Sequence, residues 1–298
     1  MRHSLLSRAA ARVRRSLGVD GLAQRLDTLE AYAGSNRSVY LGDHTALAYT
    51  RWGSMLFVDT RDSVLAPCLL LHGVWETTVT GWLQSVLRPG QVFVDVGANI
   101  GYFSLLGSKL VGGDGRVVSV EAHPRLAELL RRNVILNDLR NVVTWQRAAW
   151  SEESTLKFHL RANFASNSSV GSLGSSGLSD HYDSEEIVEV QGTTLDELLR
   201  DVPRVDVIKV DVEGAEVRSF AGLQRTLESN PQITIMFEWS PGQIRMVGDE
   251  PEVLLETLAG LGFGFQLLDD ELTSIARSEL LDLHYGNVVA TRSTARTL

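Results

Sequence analysis

Short continuous apolar runs, separated by amphipathic segments, constrain the fold of this 298-residue chain more than any other feature. Four runs stand out, FVDV, VVSV, DVIKV and ITIMF, and they do not alternate apolar with polar residues. Strands of this kind are buried on both faces, as in a parallel sheet that is covered by helices. Alternation of such strands with helices predicts a doubly wound α/β fold, whose ligand lies beyond the carboxyl ends of the strands.

Periodicity and turn residues set the bounds of the predicted elements. Strands are predicted at 91–96, 115–121, 142–148, 205–211, 233–239, 263–268 and 287–291. Helices are predicted at 76–87, 101–110, 124–136, 216–227 and 251–260.

Residues 1–64 are predicted to form a small helical and hairpin cap on a larger domain at 65–298, the hairpin strands being 45–49 and 54–59. The first 19 residues carry five arginines and no acid. A helix packed on the protein, a membrane-surface helix and a transit peptide all stay open for this segment. The Ser/Gly-rich segment 165–186 is predicted to be a surface loop, either a simple insertion or a lid.

Composition excludes several classes of protein. No apolar stretch reaches the roughly 18 residues that a membrane span needs. The net charge is −9, whereas proteins that track a nucleic-acid backbone carry a basic excess. The single cysteine, Cys68, can form neither an internal disulfide nor a cysteine-rich zinc site, which fits a reducing cytoplasm.

The first apolar strand runs into a glycine-containing loop, Asp95-Val-Gly-Ala-Asn-Ile-Gly-Tyr-Phe103. Its G-x-x-x-G spacing differs from the pyrophosphate loop of dinucleotide-binding proteins and from the P-loop. The next strand ends in Glu121, 20 residues after Gly101, where an acid can accept hydrogen bonds from both hydroxyls of a ribose. A glycine loop without phosphate chemistry and a ribose acid together indicate an adenosine ligand such as S-adenosylmethionine. The alternative for Glu121 is a charge partner of a helix N-terminus.

A second cluster of candidates lies at the ends of the later strands. Lys209 lies inside an apolar strand and must be paired, since burial of an isolated charge is costly. Strand alternation places Lys209, Asp211 and Glu213 on one face, and Glu238 at the end of the neighbouring strand is expected to meet Asp211. These residues indicate a site, although a structural ion pair with helix capping, or a solvated strand end at Glu238, would also explain them.

These segments resemble the FkbM-type family of S-adenosylmethionine-dependent methyltransferases. The resemblance extends over about residues 53–292 and depends on several motifs, the most specific being IKVDVEGAE. The other matching segments are GVWE at 73–76, DVGANIGYF at 95–103, VEAHP at 120–124, AAWS at 148–151 and TLD at 194–196. The chain departs from the family at Ala122, where proline is usual, and in its serine-rich loop.

The resemblance implies a Rossmann-like sheet of seven mostly parallel strands and transfer of a methyl group to a hydroxyl of a sugar or another natural-product scaffold. It places the methionine end of the cofactor on Asp95, Gly97, Asn99 and Gly101, with Ala98 and Phe103 in the same loop. Glu121 takes the ribose, Ala122 and Ala149 border the adenine, and Glu76 faces the cofactor's amino group.

An alcohol is a poor nucleophile, so a base must take its proton during methyl transfer. Asp211 is the first candidate, with Lys209 setting its charge and orientation, and Glu238 is the second. His72 and His123 are weaker candidates, because histidines of this kind are more often structural. His123 in particular is expected to begin a helix. Asp211, Glu213 and Glu238 also suit Mg²⁺, and the sequence leaves metal dependence open.

Three other functions are weighed against this one. An N-methyltransferase of bases or glutamine is disfavoured, since the residues after the fourth strand read DVEG instead of (N/D)-P-P-(Y/F). A dinucleotide-dependent oxidoreductase lacks its loop, and a non-catalytic scaffold would not need the charge cluster. The expected partner is a hydroxylated small molecule and not nucleic acid, while homo-oligomers and peripheral membrane contact stay open.

Overall fold

The computed structural model describes residues 38–161, 168–170, 185–269 and 271–292. Its strands, in chain order, are β1 (Val39–Gly42), β2 (Thr45–Tyr49), β3 (Met55–Asp59), β4 (Val92–Val96), β5 (Arg116–Glu121), β6 (Val142–Gln146), β7 (Ala148–Ala149), β8 (Ser154–Arg161), β9 (Glu185–Thr193), β10 (Val207–Val210), β11 (Thr234–Trp239), β12 (Phe263–Leu268), β13 (Leu272–Ser274) and β14 (Gly286–Arg292).

The main sheet has eight strands in the order β13-β12-β14-β11-β10-β4-β5-β6. The five strands from β11 to β6 run parallel, and β14 is antiparallel to both of its neighbours. The doubly wound α/β prediction is confirmed. The prediction of seven strands is wrong by one, because the exposed strand β13 pairs with the edge of β12.

Helices cover both faces of this sheet. They are α1 (Leu65–His72), α2 (Thr77–Val86), α3 (Tyr102–Val111), α4 (Pro124–Leu136), α5 (Leu195–Leu198), α6 (Glu216–Ala221), α7 (Gln224–Ser229), α8 (Pro241–Val247), α9 (Pro251–Gly260) and α10 (Arg277–Asp282). Helices α1 to α4 share one core with alternate residues of the sheet, and α5 to α10 share the other. None of the helices in the described residues is long and apolar enough to cross a membrane.

The single helix predicted over 216–227 is in fact two helices, α6 and α7. The break falls at Gly222 and Leu223. A Cβ atom on Gly222 would lie 2.2 Å from the carbonyl oxygen of Trp150, so the chain passes too close to its neighbour for a larger residue. Helical periodicity continues across this break, which is why the sequence did not reveal it.

Two small sheets flank the main one, with strand orders β1-β2-β3 and β7-β9-β8. The first contains the predicted hairpin, and its buried residues belong to the core of the first helix layer. The predicted helices in residues 1–37 lie outside the described residues, as does most of the predicted lid at 165–186.

Candidate functional site

A cavity of about 470 Å³ opens at the carboxyl ends of β4, β5, β10 and β11. This is the edge of the sheet that the α/β pattern predicts for a ligand. Twelve of the fourteen residues predicted for catalysis, cofactor binding or metal binding line it. They are Glu76, Gly97, Ala98, Asn99, Phe103, Glu121, Ala122, Ala149, Lys209, Asp211, Glu213 and Glu238.

The loop after β4 is fixed by contacts to both neighbouring strands. The backbone N–H groups of Gly97 and Ala98 donate to the carbonyl of Val120, at 2.9 and 3.0 Å. Gly97 has a φ of 75°, and a Cβ atom there would lie 1.6 Å from the carbonyl oxygen of Asp211. Asn99 is also left-handed, with a φ of 52°. The close approach of Asp211, the residue after β10, therefore already requires glycine at position 97, whether or not a ligand binds there.

Asp95 and Gly101 are not among the residues that line the cavity. A Cβ atom on Gly101 would meet Leu130 of α4 at 2.6 Å, so this glycine allows two helices to pack. Asp95 is fully buried, and one of its oxygens accepts a hydrogen bond from Ser104 at 2.6 Å. The prediction put both residues at the methionine end of a cofactor, whereas in the structure neither lines the cavity and both pack against neighbouring elements.

Glu121 ends β5 and is almost completely buried. One carboxylate oxygen accepts the backbone N–H of Asn99 at 2.7 Å, and the other accepts that of His123 at 2.8 Å. Burial raises the pKa of Glu121 to about 7 in spite of these hydrogen bonds. The acid is thus held rigidly in the wall of the cavity, with lone pairs left for the hydroxyls of a ligand.

The two candidate histidines differ in position, because His123 lines the cavity and His72 does not. His123 begins α4 as expected, and its Nδ1 accepts the backbone N–H of Arg125 at 3.1 Å. Burial lowers the pKa of His123 to about 4. His72 is exposed at the end of α1, outside the cavity lining.

Apolar side chains also line the cavity. They include Phe158 and the two alanines that were predicted to border an adenine, Ala122 and Ala149. An acid fixed by backbone N–H groups, in a cavity with apolar lining, suits a nucleoside. Its ribose hydroxyls can donate to the acid, and the flat faces of its base are apolar. The residues present therefore fit S-adenosylmethionine.

Lys209 lies beneath the opposite end of the cavity and is 2% exposed. Its ammonium group donates to Asp211 at 2.8 Å, and β10 pairs Lys209 with Asp95 of β4. Burial lowers the pKa of Lys209, but the carboxylates of Asp211, Asp95 and Glu76 outweigh burial and raise it above the usual value. The lysine therefore stays charged and fixes Asp211 at the cavity.

Three acids, Asp211, Glu213 and Glu238, form what we call the acidic cluster. One carboxylate oxygen from each lies within 4.8 Å of the others. Burial, followed by repulsion from Asp211, raises the pKa of both Glu213 and Glu238. Glu216 is separate, because it accepts the backbone N–H groups of Val212 and Gly214 and so caps the turn, as the alternative interpretation expects.

Glu76 begins α2 with a left-handed φ of 39° and faces the acidic cluster across the cavity. Burial, followed by repulsion from Asp211, raises its pKa to about 7. Glu76 is half-buried, and a carboxylate at this position would suit the ammonium group of an amino-acid ligand; this role stays a prediction.

Sequence reasoning missed Tyr285 and Gln243, which both line the cavity. The hydroxyl of Tyr285 donates to Glu238, and the amide of Gln243 donates to Glu213. Tyr285 precedes β14, the antiparallel neighbour of β11. An antiparallel strand begins at the sheet edge where its parallel neighbours end. The residue before β14, Tyr285, therefore lies at the ligand edge, and strand order could have indicated it.

Comparison with known proteins gives the family. The model of the methyltransferase FkbM domain matches residues 95–266, and that of protein-L-isoaspartate(D-aspartate) O-methyltransferase matches residues 15–150. Methyltransferase sdnD of Sordaria araneosa is 29% identical over 194 residues, which are 57% of this chain and 73% of sdnD.

The chain also has shorter and more distant similarities. Protein-L-isoaspartate O-methyltransferase of Methanopyrus kandleri is 45% identical over 82 residues, which are 26% of this chain and 36% of that enzyme. The solved structure of an O-methyltransferase from Bacillus cereus in complex with SAH has 16% sequence identity and a TM-score of 0.42, over 73% of this chain and 80% of that one. The FkbM model covers more than half of the sequence, and the chain therefore belongs to the FkbM family of S-adenosylmethionine-dependent methyltransferases.

Proposed function

We propose that this methyltransferase acts on a hydroxyl of a small molecule, a sugar or another natural-product scaffold. The observation that carries the proposal is Asp211, a carboxylate that lies at the cavity and is fixed by the buried ammonium group of Lys209. A hydroxyl needs a base to remove its proton during attack, whereas a carboxylate acceptor would not.

The cofactor supplies a methyl group on a positively charged sulfur. Glu121 would hold its ribose, Ala122 and Ala149 its adenine, and Glu76 its amino group. Residues Gly97 to Asn99 would hold the methionine end. The enzyme contributes mainly alignment, which replaces an encounter in solution by a reaction between held groups.

The acceptor side of the cavity is the acidic cluster with Tyr285. A hydroxyl beside Asp211 would lose its proton to that carboxylate while its oxygen bonds to the methyl carbon and the sulfur–carbon bond breaks. Glu238, hydrogen-bonded to Tyr285, is the second candidate for the base. Tyr285 is 56% exposed, so it stands where an acceptor would enter.

Size and charge support a small acceptor. A cavity of about 470 Å³ is within the ordinary range of small-molecule sites. The net charge of −9 and the carboxylates at the cavity would repel a nucleic acid.

The test is methyl transfer from labelled S-adenosylmethionine to a panel of hydroxylated sugars and polyketide-like alcohols. We expect a labelled product that survives mild alkali, because ethers do and methyl esters do not. Asp211→Asn should bind S-adenosylhomocysteine like the wild type but lose at least about 100-fold in turnover. Asp201→Asn, the same change at an exposed site, should be fully active. An alkali-labile ester or a methylated amine as the product would contradict the proposal.

A further inference from the structure

We propose that the acidic cluster of Asp211, Glu213 and Glu238 binds one divalent cation that prefers oxygen ligands, Mg²⁺ or Mn²⁺. This inference deepens the proposed function and rests on it in one respect, that the acceptor hydroxyl lies at the same end of the cavity.

The spacing of the three carboxylates fits a single ion. One oxygen from each lies within 4.8 Å of the others. Oxygen ligands lie about 2.0–2.1 Å from Mg²⁺ and about 2.3–2.6 Å from Ca²⁺, so two ligands on opposite sides of one ion are roughly 4–5 Å apart. Carboxylate oxygens are also the ligands that Mg²⁺ and Mn²⁺ prefer.

A second observation concerns Glu238 alone. Its side chain is 8% exposed, and its Oε2 has no hydrogen-bond partner among the residues that the structure describes. Glu238 lines the cavity and is one of the three acids of the cluster, so this oxygen belongs to a buried acid at the proposed ion site. A buried carboxylate oxygen without a partner is costly, and a cation would supply the missing interaction.

Strand register brings the ligands together. β10 and β11 are parallel, with Val210 opposite Phe237, so Asp211 and Glu238 follow at the same level of adjacent strands. Glu213 has a left-handed φ of 53°, in the turn that follows β10. Lys209 occupies Asp211 Oδ2, at 2.8 Å. The second oxygen of Asp211 is left for an ion, together with oxygens of Glu213 and Glu238.

A bound ion would take the acceptor hydroxyl as a further ligand. It would lower the pKa of that hydroxyl and fix its oxygen for attack. The bonds made and broken are those of the proposed methyl transfer, and the proton passes to the carboxylate of Asp211, as proposed there.

Binding of Mn²⁺, read by electron paramagnetic resonance of the free ion, tests the proposal without any activity measurement. The full chain, stripped with EDTA and desalted, is titrated with and without S-adenosylhomocysteine. We expect one saturable site per chain, from which Mg²⁺ displaces Mn²⁺. Glu213→Gln and Glu238→Gln should each weaken binding at least about tenfold, while Glu256→Gln, an exposed acid on α9, should not.

Absence of a saturable site in the wild-type protein, with or without the product, overturns the proposal whatever the variants do. So does binding that survives both Glu213→Gln and Asp211→Asn, since the ion would then lie elsewhere. Circular dichroism shows whether each variant is folded. If one of the two glutamine variants is not folded, Asp211→Asn is used in its place. If Mn²⁺ binds but no alkali-stable methylated product forms, the proposed function fails and this inference stands. If turnover is complete in EDTA and no Mn²⁺ site is found, this inference fails and the proposed function stands.

Discussion

Glu121 combines two opposing demands. The proposed binding of a ribose requires a charged acceptor in the cavity wall, whereas burial disfavours the charge and raises the pKa of Glu121 to about 7. The backbone N–H groups of Asn99 and His123 stabilise the carboxylate only in part. The sequence predicted a ribose acid here from the distance to the glycine loop, and the structure places Glu121 in the cavity wall. The cost of burying its charge follows from packing and could not be predicted from the sequence.

Glu121→Gln should weaken S-adenosylhomocysteine binding by about tenfold to a hundredfold, because a neutral amide replaces a charged acceptor of the ribose hydroxyls. Wild-type affinity should also fall below about pH 7, as the carboxyl becomes protonated. Isothermal titration between pH 6 and 8 measures both effects, with Glu256→Gln as the matched control. Equal affinities for Glu121→Gln and the wild type would remove the ribose assignment.

Gly97→Ala should prevent stable folding. The new Cβ would collide with the carbonyl oxygen of Asp211, a backbone atom of β10, at a φ of 75°. We expect a loss above about 3 kcal/mol, measured by urea unfolding or seen as insoluble protein. Gly113→Ala, with no atom within 4 Å of the new Cβ, should change stability by less than about 0.5 kcal/mol. A stable Gly97→Ala protein would mean that the loop and β10 are not packed as described.

Helix α4 attaches the small N-terminal sheet through two asparagines, four residues apart. Asn133 hydrogen-bonds both backbone groups of Phe57, and Asn137 those of Met55. These bonds satisfy the edge of β3, which would otherwise be open. The predicted cap is thereby fastened to the main domain by polar bonds in addition to the shared core.

Asn133→Ala should cost about 2–3 kcal/mol of stability, since it leaves buried backbone groups of Phe57 and Ile100 unpaired. Asn137→Ala should cost less, about 1 kcal/mol, because Asn137 is only half-buried. Chemical denaturation measures both values. The reverse order, or no cost for Asn133→Ala, would show that the apolar core alone holds the sheet.

Elements differ in how far the sequence predicts them, and burial explains the difference. The continuous apolar strands β4, β5, β10 and β11 were predicted, because burial on both faces leaves an unmistakable pattern. Strands β8 and β9 were not predicted, since they flank the Ser/Gly-rich segment and are only partly buried. Contacts across the cavity, such as that of Tyr285 with Glu238, depend on the order of strands and not on local sequence.

The stability of the whole unliganded protein should depend on pH in an unusual direction. Burial raises the pKa of Glu121 and of Glu216 from 4.5 to about 7, so the folded state keeps protons that the unfolded state has released. The stabilisation that these two acids contribute to the folded state is therefore fully present below about pH 4.5 and is lost as the pH rises through 7. Each group accounts for up to about 3 kcal/mol.

The lowered pKa of His123 acts in the opposite direction below about pH 6.5, but it is one group against two acids. Calorimetry without ligand should accordingly show a transition temperature that falls by several degrees between about pH 5 and 8. Glu121→Gln should flatten this dependence, since its side chain does not titrate. A transition temperature that rises across the same interval would contradict the assignment of these buried acids.

Thermal unfolding with S-adenosylhomocysteine, and separately with NAD, tests most directly whether this cavity is a methyltransferase cofactor site. At 100 times its dissociation constant, a ligand adds about 2.7 kcal/mol to the folded state. We predict a higher transition temperature with S-adenosylhomocysteine, a smaller rise in Glu121→Gln, and none with NAD. No rise at millimolar S-adenosylhomocysteine, or an equal rise with NAD, would contradict the account and favour a binding module or an oxidoreductase.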